Sequence, residues 1–436
     1  MIELKKNTFD VLLEPCKDYL DGKSPEIDKK SNSKKLFFSN FFKIIVFAIV
    51  GEVKSLRLLI TELKTNETAK LLELKPLPYN TLLDGFHRFD AQYFKELFSQ
   101  VLQSFQYKNV PELEEMGVFR LVDGSIFPTL SNIYWAKYKS KKNAIKLHLS
   151  FNLNQMIPTE FLVGTGKSCE RSFLKNILQP GITYIADRGY FSFGVIHHIF
   201  GAKAFFIIRS KGNLVYTVTK NLTIKSTLPA CFNNVKDVYA TMDNDPNSHD
   251  VRIVEFFVEG SHFILVTNRF DLTTLQVILL YAYRWQIELL FKYIKRSLGG
   301  IHLFNHSENG VTIQFYILMI VAVLQLRLKQ KCIEYAENQD NSEENSKENS
   351  KENRQSIQNS DNSNKPLLET SVEKLVKQDM QKQNTVDKTL LKAEQWIHSV
   401  NRIFEKYWKI SCHWLCKLKN FLSQPFTKQI IYELGT

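Results

Sequence analysis

The chain has 436 residues and 44% of them are hydrophobic, which excludes a fibrous or wholly disordered protein and allows roughly two to four domains with buried cores. Lysine and arginine number 57 against 45 aspartates and glutamates, a formal net charge of +12. Ten acidic and four basic residues fall within 334–373, so the remainder carries +18 and should attract polyanions, nucleic acid before an acidic membrane.

Two apolar runs, residues 36–50 and 315–326, are shorter than the ~18 to 20 residues that cross a bilayer. We expect both to be core helices, and we expect no membrane partner. The chain opens without the apolar core of a secretory signal, and its six cysteines are scattered. This pattern favours the reducing cytoplasm.

Residues 1–112 have the periodic apolar positions of helices, and a helix-start signal lies near Asn80 and Thr81. We therefore predict a helical domain at the front of the chain. A small basic helical domain is a candidate reader of a nucleic-acid site, resembling a helix-turn-helix, and it is equally a candidate oligomerisation module. The pattern does not choose between these two roles.

Residues 113–330 change to a strand-rich pattern. Apolar segments between 117 and 164 predict three antiparallel strands, and a helix is predicted at Glu170–Leu178. A buried-type strand then leads to Asp187, and a helix and a second buried strand that ends at Arg209 follow it. Three strands, helix, strand, helix and strand is the order of a ribonuclease-H-like mixed-sheet core, so we predict the α/β fold class.

Three further segments complete the predicted organisation. Residues 210–268 are rich in strand signals and predict an all-β subdomain inserted into the core. Residues 334–385 form a polar low-complexity tract with too few apolar side chains to offset its ordering entropy, which predicts a disordered linker. Residues 386–436 resume a helical pattern, so helical regions are expected on both sides of the core.

The stretch from Tyr281 to Lys295 predicts a helix with a polar stripe. At about 100° per residue, Tyr281, Arg284, Glu288 and Lys295 fall within roughly 60° of one another around the helix axis. Apolar residues occupy the adjacent sector of the same helix. Such a helix should bury its apolar stripe and present the polar one to a ligand.

Two aspartates, Asp123 and Asp187, follow apolar β segments and precede small or turn-forming residues. Such positions place a side chain at the edge of a sheet. Together with Glu288 they give three carboxylates, a ligand set that suits two Mg²⁺ or Mn²⁺ ions. Two such ions clamp the attacking and leaving oxygens of a phosphodiester displacement. Taken singly, each aspartate is more often a turn residue or a helix cap.

Three motifs carry a resemblance to a known family: DGS at Asp123, ADRGY at Asp187, and the spacing of Tyr281, Arg284, Glu288 and Lys295. They resemble the DDE transposases of the insertion-sequence-four type. The signature of that family is Tyr, two residues, Arg, three residues, Glu, six residues and Lys, and all four positions match in spacing. The likeness covers about residues 115–330, and the order of front helices, core, β insertion and helical tail is similar too.

The resemblance implies a cut-and-paste transposase that acts as a homodimer on the terminal inverted repeats of an insertion sequence and on target DNA. It implies that Asp123, Asp187 and Glu288 are catalytic ligands of two Mg²⁺ or Mn²⁺ ions. Water activated by metal would nick one strand, and the freed 3′ hydroxyl would attack the opposite strand and later the target. The other signature residues would contact phosphates near the cut site: Tyr281, Arg284 and Lys295.

Three basic residues, Arg188, Arg209 and Lys211, follow core strands at the edge that should carry the aspartates. They are further candidate DNA contacts, against the alternative of solvated charges.

Two rival functions stay open at this point. The first is a DNA-binding protein derived from a transposase, and the intact acidic triad speaks against it. The second is a structure-selective nuclease of ribonuclease-H type, which the Tyr, Arg and Lys stripe disfavours but does not exclude.

Overall fold

A computed structural model describes the chain over residues 6–31, 35–104, 109–129, 133–139, 142–224, 228, 232–258, 260–297, 303–355 and 417–435. Eight α-helices precede the first strand in these ranges: α1 (Thr8–Leu13), α2 (Lys17–Ser31), α3 (Phe38–Val50), α4 (Leu56–Thr65), α5 (Glu67–Leu71), α6 (Tyr79–Arg88), α7 (Ala91–Gln103) and α8 (Pro111–Glu114). Several begin where a polar side chain accepts a hydrogen bond from a first-turn amide, as Asn7, Ser55 and Asp90 do.

Ten strands of the described residues form one mixed sheet: β1 (Val118–Thr129), β2 (Lys137–Lys139), β3 (Lys142–Asn152), β4 (Ile157–Thr165), β5 (Ile182–Ala186), β6 (Phe205–Arg209), β7 (Tyr216–Asn221), β8 (Asn233–Met242), β9 (Asp250–Val258) and β10 (Ser261–Thr267). Their order is β2-β3-β1-β5-β6-β10-β9-β8-β7, and β4 also pairs with β3. The strands β1, β5 and β6 are parallel neighbours, and the other pairs are antiparallel. The strands β5 and β6 are short, apolar and largely buried, as expected for parallel strands covered on both faces.

Further helices in the described residues include α9 (Glu170–Asn176), α10 (Phe193–Gly201), α11 (Thr274–Ala282), α12 (Trp285–Ser297), α13 (Glu308–Gln355) and α14 (Lys428–Gly435), and residues 417–421 are also helical. The two faces of the sheet belong to separate core clusters. Leu121 and Ile185 share one cluster with α11, α12 and α13, whereas Val122 and Tyr184 share the other with α9 and α10. Helices on both faces of a mixed sheet are consistent with the predicted ribonuclease-H-like core.

The described residues of the interval 210–268 form four strands, as predicted, but the structure does not confirm a separate subdomain. The strands β7 to β10 form an antiparallel run that extends the central sheet, because β10 pairs with β6 from Leu265 opposite Arg209 to Thr267 opposite Ile207. This pairing satisfies the edge of β6, which would otherwise expose unpaired backbone groups. The sequence shows the strands but not which strand edge they join.

The front helices and the long helix α13 share one hydrophobic core. Helix α13 packs against α1, α3, α6 and α7, and a group of aromatic rings fills the space between the front helices. Phe38 packs edge-on against Phe89 at 5.3 Å, and Phe41 against Phe86 at 4.9 Å between ring centroids. The front helices are therefore anchored on a helix that follows the sheet in sequence, and the boundary near residue 112 stays a prediction.

The segment Glu308–Tyr335 of α13 is long and apolar enough to cross a membrane. However, 89% of its most apolar 18-residue stretch is buried inside the protein. Its apolar side chains are therefore covered by the protein itself, which agrees with the predicted core helix at residues 315–326.

The predicted disordered linker at 334–385 differs from the structure over its first part. Helix α13 continues through Gln355, and residues 356–385 lie outside the described ranges. The prediction treated the tract as an isolated chain, for which starting a helix is unfavourable. A tract that continues a buried helix needs no new nucleus, and its many Glu, Lys and Gln residues are good helix formers.

Candidate active site

Two neighbouring parallel strands place Asp123 and Asp187 side by side. The register of β1 on β5 runs from Val118 opposite Ile182 to Val122 opposite Ala186. The two aspartates are the next residue of each segment, so both lie where β1 and β5 separate. They are therefore adjacent at the carboxyl edge of the parallel part of the sheet, where α/β proteins bind their ligands.

The alternation of side chains determines which face the two aspartates use. Leu121 and Ile185, two residues earlier in each segment, are buried in the cluster that contains α11 and α12. Side chains two residues apart in a strand point the same way, so Asp123 and Asp187 face those helices. This is the face on which the predicted stripe lies.

The predicted single helix over residues 281–295 is interrupted in the structure. Helix α11 ends and α12 begins on either side of Tyr283 and Arg284. The amides of Arg284 and Gln286 donate to carbonyls three residues back, so the chain makes one tighter turn of 3₁₀ type. Neither proline nor glycine marks this turn, and the apolar periodicity continues across it. The sequence pattern therefore gave no signal for the interruption.

Arg284 connects two of the three predicted carboxylates. Its Nη2 lies 2.6 Å from Oε1 of Glu288, and its Nη1 lies 3.4 Å from Oδ2 of Asp123. The side chains of Arg284, Asp123 and Glu288 are only 17%, 19% and 29% exposed. Two largely buried carboxylates of like charge need a positive group near them, and the guanidinium supplies it.

The third predicted carboxylate, Asp187, contacts a different residue of the stripe. The Tyr281 hydroxyl donates to Oδ1 of Asp187 at 3.2 Å. Burial, with the nearby Asp187 charge, raises the pKa of Tyr281 to about 12, so the hydroxyl keeps its proton and serves as a donor. The Arg284 guanidinium carbon lies 5.9 Å from the centroid of the Tyr281 ring. The structure therefore brings five of the predicted residues into one cluster.

Burial of the site changes the acidity of Asp123. Desolvation, with smaller contributions from the carboxylates of Glu288 and Glu170, raises the pKa of Asp123 to about 6 against the opposing effects of the Gly124 amide and Arg284. The Gly124 amide donates to Oδ1 of Asp123 at 2.8 Å. A second positive charge beside Asp123 would favour its ionised form, because an opposite charge lowers the pKa of a carboxyl group.

The remaining predicted DNA contacts occupy different surroundings. Lys295 is exposed on α12, and its Nζ lies 5.3 Å from the centroid of the Phe127 ring on β1. Arg188 and Lys211 are exposed after β5 and β6. Arg209 is partly buried, donates from Nη2 to the carbonyl of His262 at 3.0 Å and lies over the Phe263 ring at 4.0 Å. A DNA contact stays a prediction for each of the four, and for Arg209 it would require leaving these partners.

One carboxylate near the site was not singled out by the sequence. Glu170, expected only as the start of a helix, pairs with Lys146 at 2.7 Å on the other face of the sheet. The sequence feature that could have indicated a nearby group is the pair of glycines that follow the aspartates, Gly124 and Gly189. A glycine at such a position indicates that another group approaches the backbone closely.

The donor chemistry of the cluster fits a hard divalent cation, because it offers carboxylate oxygens in a partly desolvated place. As the side chains stand, the described residues contain no group of three or more acidic, histidine or cysteine side chains arranged to hold a metal ion. Arg284 lies between two of the carboxylates and Tyr281 holds the third. A metal would therefore require Arg284 to move.

Comparison with known proteins finds similarity over about half of the chain. Residues 115–324 match the family of transposase DDE domains. A protein of Sinorhizobium fredii named as a transposase is 27% identical over 248 residues, which are 56% of this chain and 69% of that protein. A protein of Geobacillus stearothermophilus named as a transposase for an insertion sequence element is 22% identical over 272 residues, 59% of this chain and 69% of that protein.

A third relative, from Synechocystis, is also named as a transposase for an insertion sequence element. It is 26% identical over 255 residues, which are 55% of this chain and 68% of that protein. The matched family range contains every predicted site residue described above. The predicted resemblance to DDE transposases is thus confirmed over residues 115–324, which match the transposase DDE domain.

Proposed function

We propose that this protein is a DNA transposase of the insertion-sequence-four type, which cuts DNA at the ends of an insertion sequence and joins it to a target. The observation that carries the proposal is the convergence of Asp123, Asp187 and Glu288 with Arg284 and Tyr281 at one edge of the sheet. The three acidic residues are the proposed catalytic groups. Support comes from the position of this edge inside the matched transposase domain.

The proposed cofactors are two Mg²⁺ or Mn²⁺ ions held by Asp123, Asp187 and Glu288. When bound, such ions supply an activated water and stabilise the leaving oxygen of a phosphodiester. The present position of Arg284 supports a cation site, because the cluster already accommodates a positive group between Asp123 and Glu288. Once released from them, the guanidinium can pair with a DNA phosphate, which suits its forked geometry.

The proposed partners are the terminal inverted repeats of the element and its target DNA. The charge of +18 outside residues 334–373 supports a polyanionic partner. Lys295, Arg188 and Lys211 are exposed and are proposed to contact the DNA backbone beside the site. Arg209 is proposed as a further contact, reached after it leaves the His262 carbonyl. We propose a homodimer on the DNA, located in the cytoplasm and on the nucleoid.

The roles of the other regions follow from the same proposal. Residues 1–112 would bind the ends of the element, residues 113–330 would cut and join, and residues 386–436 would form a C-terminal helical segment. Within residues 334–385, we propose that residues 356–385, which follow helix α13, act as the linker.

Cleavage of DNA by the purified protein tests the proposed function. The substrate is a duplex that carries the inverted repeats flanking the gene, incubated with Mn²⁺ or with a chelator. We expect metal-dependent cuts at the repeat ends, followed by joining to a second duplex. Binding without cleavage would favour a DNA-binding derivative, and cutting without joining would favour a structure-selective nuclease.

A further inference from the structure

The turns that carry the two aspartates rest against one glutamate on the opposite face of the sheet. Glu170, the first residue of α9, pairs with Lys146 of β3, with Nζ 2.7 Å from Oε1. A Cβ atom added at Gly124 would lie 3.2 Å from Oε1 of Glu170, and one at Gly189 would lie 2.7 Å from Oε2. The carboxylate therefore occupies the space that a side chain at either position would need.

Gly124 links this ion pair to Asp123. Its amide donates to Oδ1 of Asp123 at 2.8 Å. A Cβ atom at Gly124 would also lie 3.1 Å from Cε of Lys146 and 3.3 Å from Nδ1 of His148, which is fully buried. The backbone of Gly124 is thus enclosed by groups that are themselves fixed. A shift of the ion pair would move the amide that orients the Asp123 carboxylate.

The turn that follows Asp187 is held by the same end of α9. The Arg171 side chain donates from Nε to the carbonyl of Gly189 at 3.1 Å. The Tyr190 amide donates to the carbonyl of Asp187 at 3.0 Å and closes the turn. Glu170 and Arg171 therefore support this turn from behind, while Tyr281 contacts the Asp187 carboxylate on the other face.

A simpler explanation of Glu170 is a favourable charge in the first turn of a helix. That role needs neither a lysine partner nor a glycine in each of two separate turns. Lys146 is only 12% exposed and Glu170 25%, so the pair stays together in a partly desolvated place. The glycines at 124 and 189 belong to the two segments that carry the aspartates. The arrangement therefore fits a support shared by both turns.

We propose that Glu170, anchored by Lys146, is a positioning residue that sets the spacing of the Asp123 and Asp187 carboxylates for the divalent cations. This inference rests on the proposed function of those two aspartates as metal ligands. Glu170 acts through the backbone of Gly124 and Gly189, behind the sheet, and contacts neither the ions nor the DNA.

The test measures the affinity for Mn²⁺ of the full chain bound to a DNA duplex that carries an end of the element. Electron paramagnetic resonance detects the unbound ion. Groups that orient metal ligands typically change affinity by ~10 to 100-fold, and we expect a loss in this range for Glu170→Ala. Glu170→Gln keeps the shape of the side chain but removes the ion pair with Lys146, so we expect a smaller loss of Mn²⁺ affinity. Both variants should lose some stability, because Lys146 is left without its charged partner, but their metal-free DNA binding should be nearly unchanged.

Glu160→Ala is the matched control. It removes an ion pair of the same sheet, with Arg120 at 3.2 Å, that does not contact either glycine. Mn²⁺ affinity like that of the unmodified protein in both Glu170 variants, or an equal loss in Glu160→Ala, would overturn the positioning role. If Glu170→Ala does not fold, Glu170→Gln decides the question.

The proposed metal site has its own control in Asp123→Asn. If Asp123→Asn abolishes Mn²⁺ binding while the Glu170 variants retain it, only the positioning role is overturned. If the unmodified protein binds no Mn²⁺ at all, the proposed metal site is overturned, and the inference with it.

Discussion

Arg284, at the junction of α11 and α12, holds the carboxylate of Glu288 in the first turn of α12 at 2.6 Å. The same guanidinium reaches Asp123 at 3.4 Å, so a residue from a helix junction neutralises carboxylates from a strand and a helix. The tight turn before α12 places Arg284 at this point. The site is therefore held by a positive group that belongs to the chain itself.

Replacing Glu288 by glutamine should abolish metal-dependent cleavage and leave binding of the element ends nearly unchanged. The change removes a charged oxygen ligand but little of the DNA-facing surface, because Glu288 is only 29% exposed. Cleavage is measured on gels in Mn²⁺, and binding by fluorescence anisotropy with a chelator. Glu308→Gln, an exposed acid at the start of α13, should cleave normally. Cleavage by Glu288→Gln at the rate of the unmodified protein would refute its catalytic assignment.

Replacing Arg284 by glutamine should destabilise the metal-free protein and increase its stabilisation by Mn²⁺. Breaking a buried pair costs about 3–5 kcal/mol, and the partial exposure of this cluster points to the lower end or below. Mn²⁺ should stabilise the variant more than the unmodified protein, because no guanidinium has to be displaced. Urea unfolding with a chelator and with Mn²⁺ measures both effects, and the exposed Arg57→Gln is the control. Equal stabilisation by Mn²⁺ in the two proteins would contradict this interpretation.

The location of the two aspartates at strand ends could be predicted from the sequence, because both directly follow apolar strand segments. The parallel register then makes Asp123 and Asp187 neighbours, and a spacing of four residues predicts that Arg284 can reach Glu288. The strand content of residues 210–268 could also be predicted. These features depend on local periodicity, which the sequence shows directly.

Features that depend on contacts between distant segments could not be predicted from the sequence. The tight turn at Arg284 has no sequence signal, and the pairing of β10 with β6 depends on which strand edge is free. The support that Glu170 gives to Gly124 and Gly189 joins three separate segments. The helical continuation to Gln355 depends on the buried part of α13, which a compositional argument ignores.

The buried ion pair of Arg252 with Asp237 predicts a large loss of stability in Asp237→Asn. The two groups lie 2.6 Å apart with side chains 4% and 1% exposed, and the Thr274 hydroxyl at the start of α11 also donates to Asp237. Leaving Arg252 buried without its partner should cost about 3–5 kcal/mol in the free energy of unfolding, as measured in urea. In contrast, Glu160→Gln should cost about 0–1 kcal/mol, because Glu160 is 41% exposed. Similar losses in the two variants would contradict the structural importance of the buried pair.

Binding to DNA should weaken steeply with salt. If six or more phosphates are neutralised, affinity should fall by ~10³ or more between about 50 and 200 mM salt, because bound counterions are released from the DNA. The charge of +18 outside residues 334–373 is the reason for this expectation. Titrations of an end duplex at several salt concentrations give the slope, and Lys295→Gln should reduce it by about one unit. A response independent of salt would argue against DNA as the main partner.

Lys329 predicts a dependence of stability on pH that its replacement should remove. It is 5% exposed on α13, and its Nζ has no hydrogen-bond partner among the described residues. Burial, with the nearby Lys417, lowers the pKa of Lys329 from 10.5 to about 8. Between these two values the unfolded chain binds more protons than the folded protein, so the free energy of unfolding should rise with pH across that window. Below pH 8 the charge stays on Lys329 in both states and opposes folding.

Lys329→Met should therefore stabilise the protein at pH 7 by up to about 3 kcal/mol, from 1.36 kcal/mol per pKa unit. The gain should shrink as the pH rises through 8 and vanish near 10.5, the unfolded-state pKa. Urea unfolding of both proteins across this range isolates Lys329, because other titrating groups contribute equally to each. Lys29→Met, an exposed lysine on α2, should show no such pH-dependent difference. A constant difference between Lys329→Met and the unmodified protein at every pH would show that lost packing, not a buried charge, determines the effect.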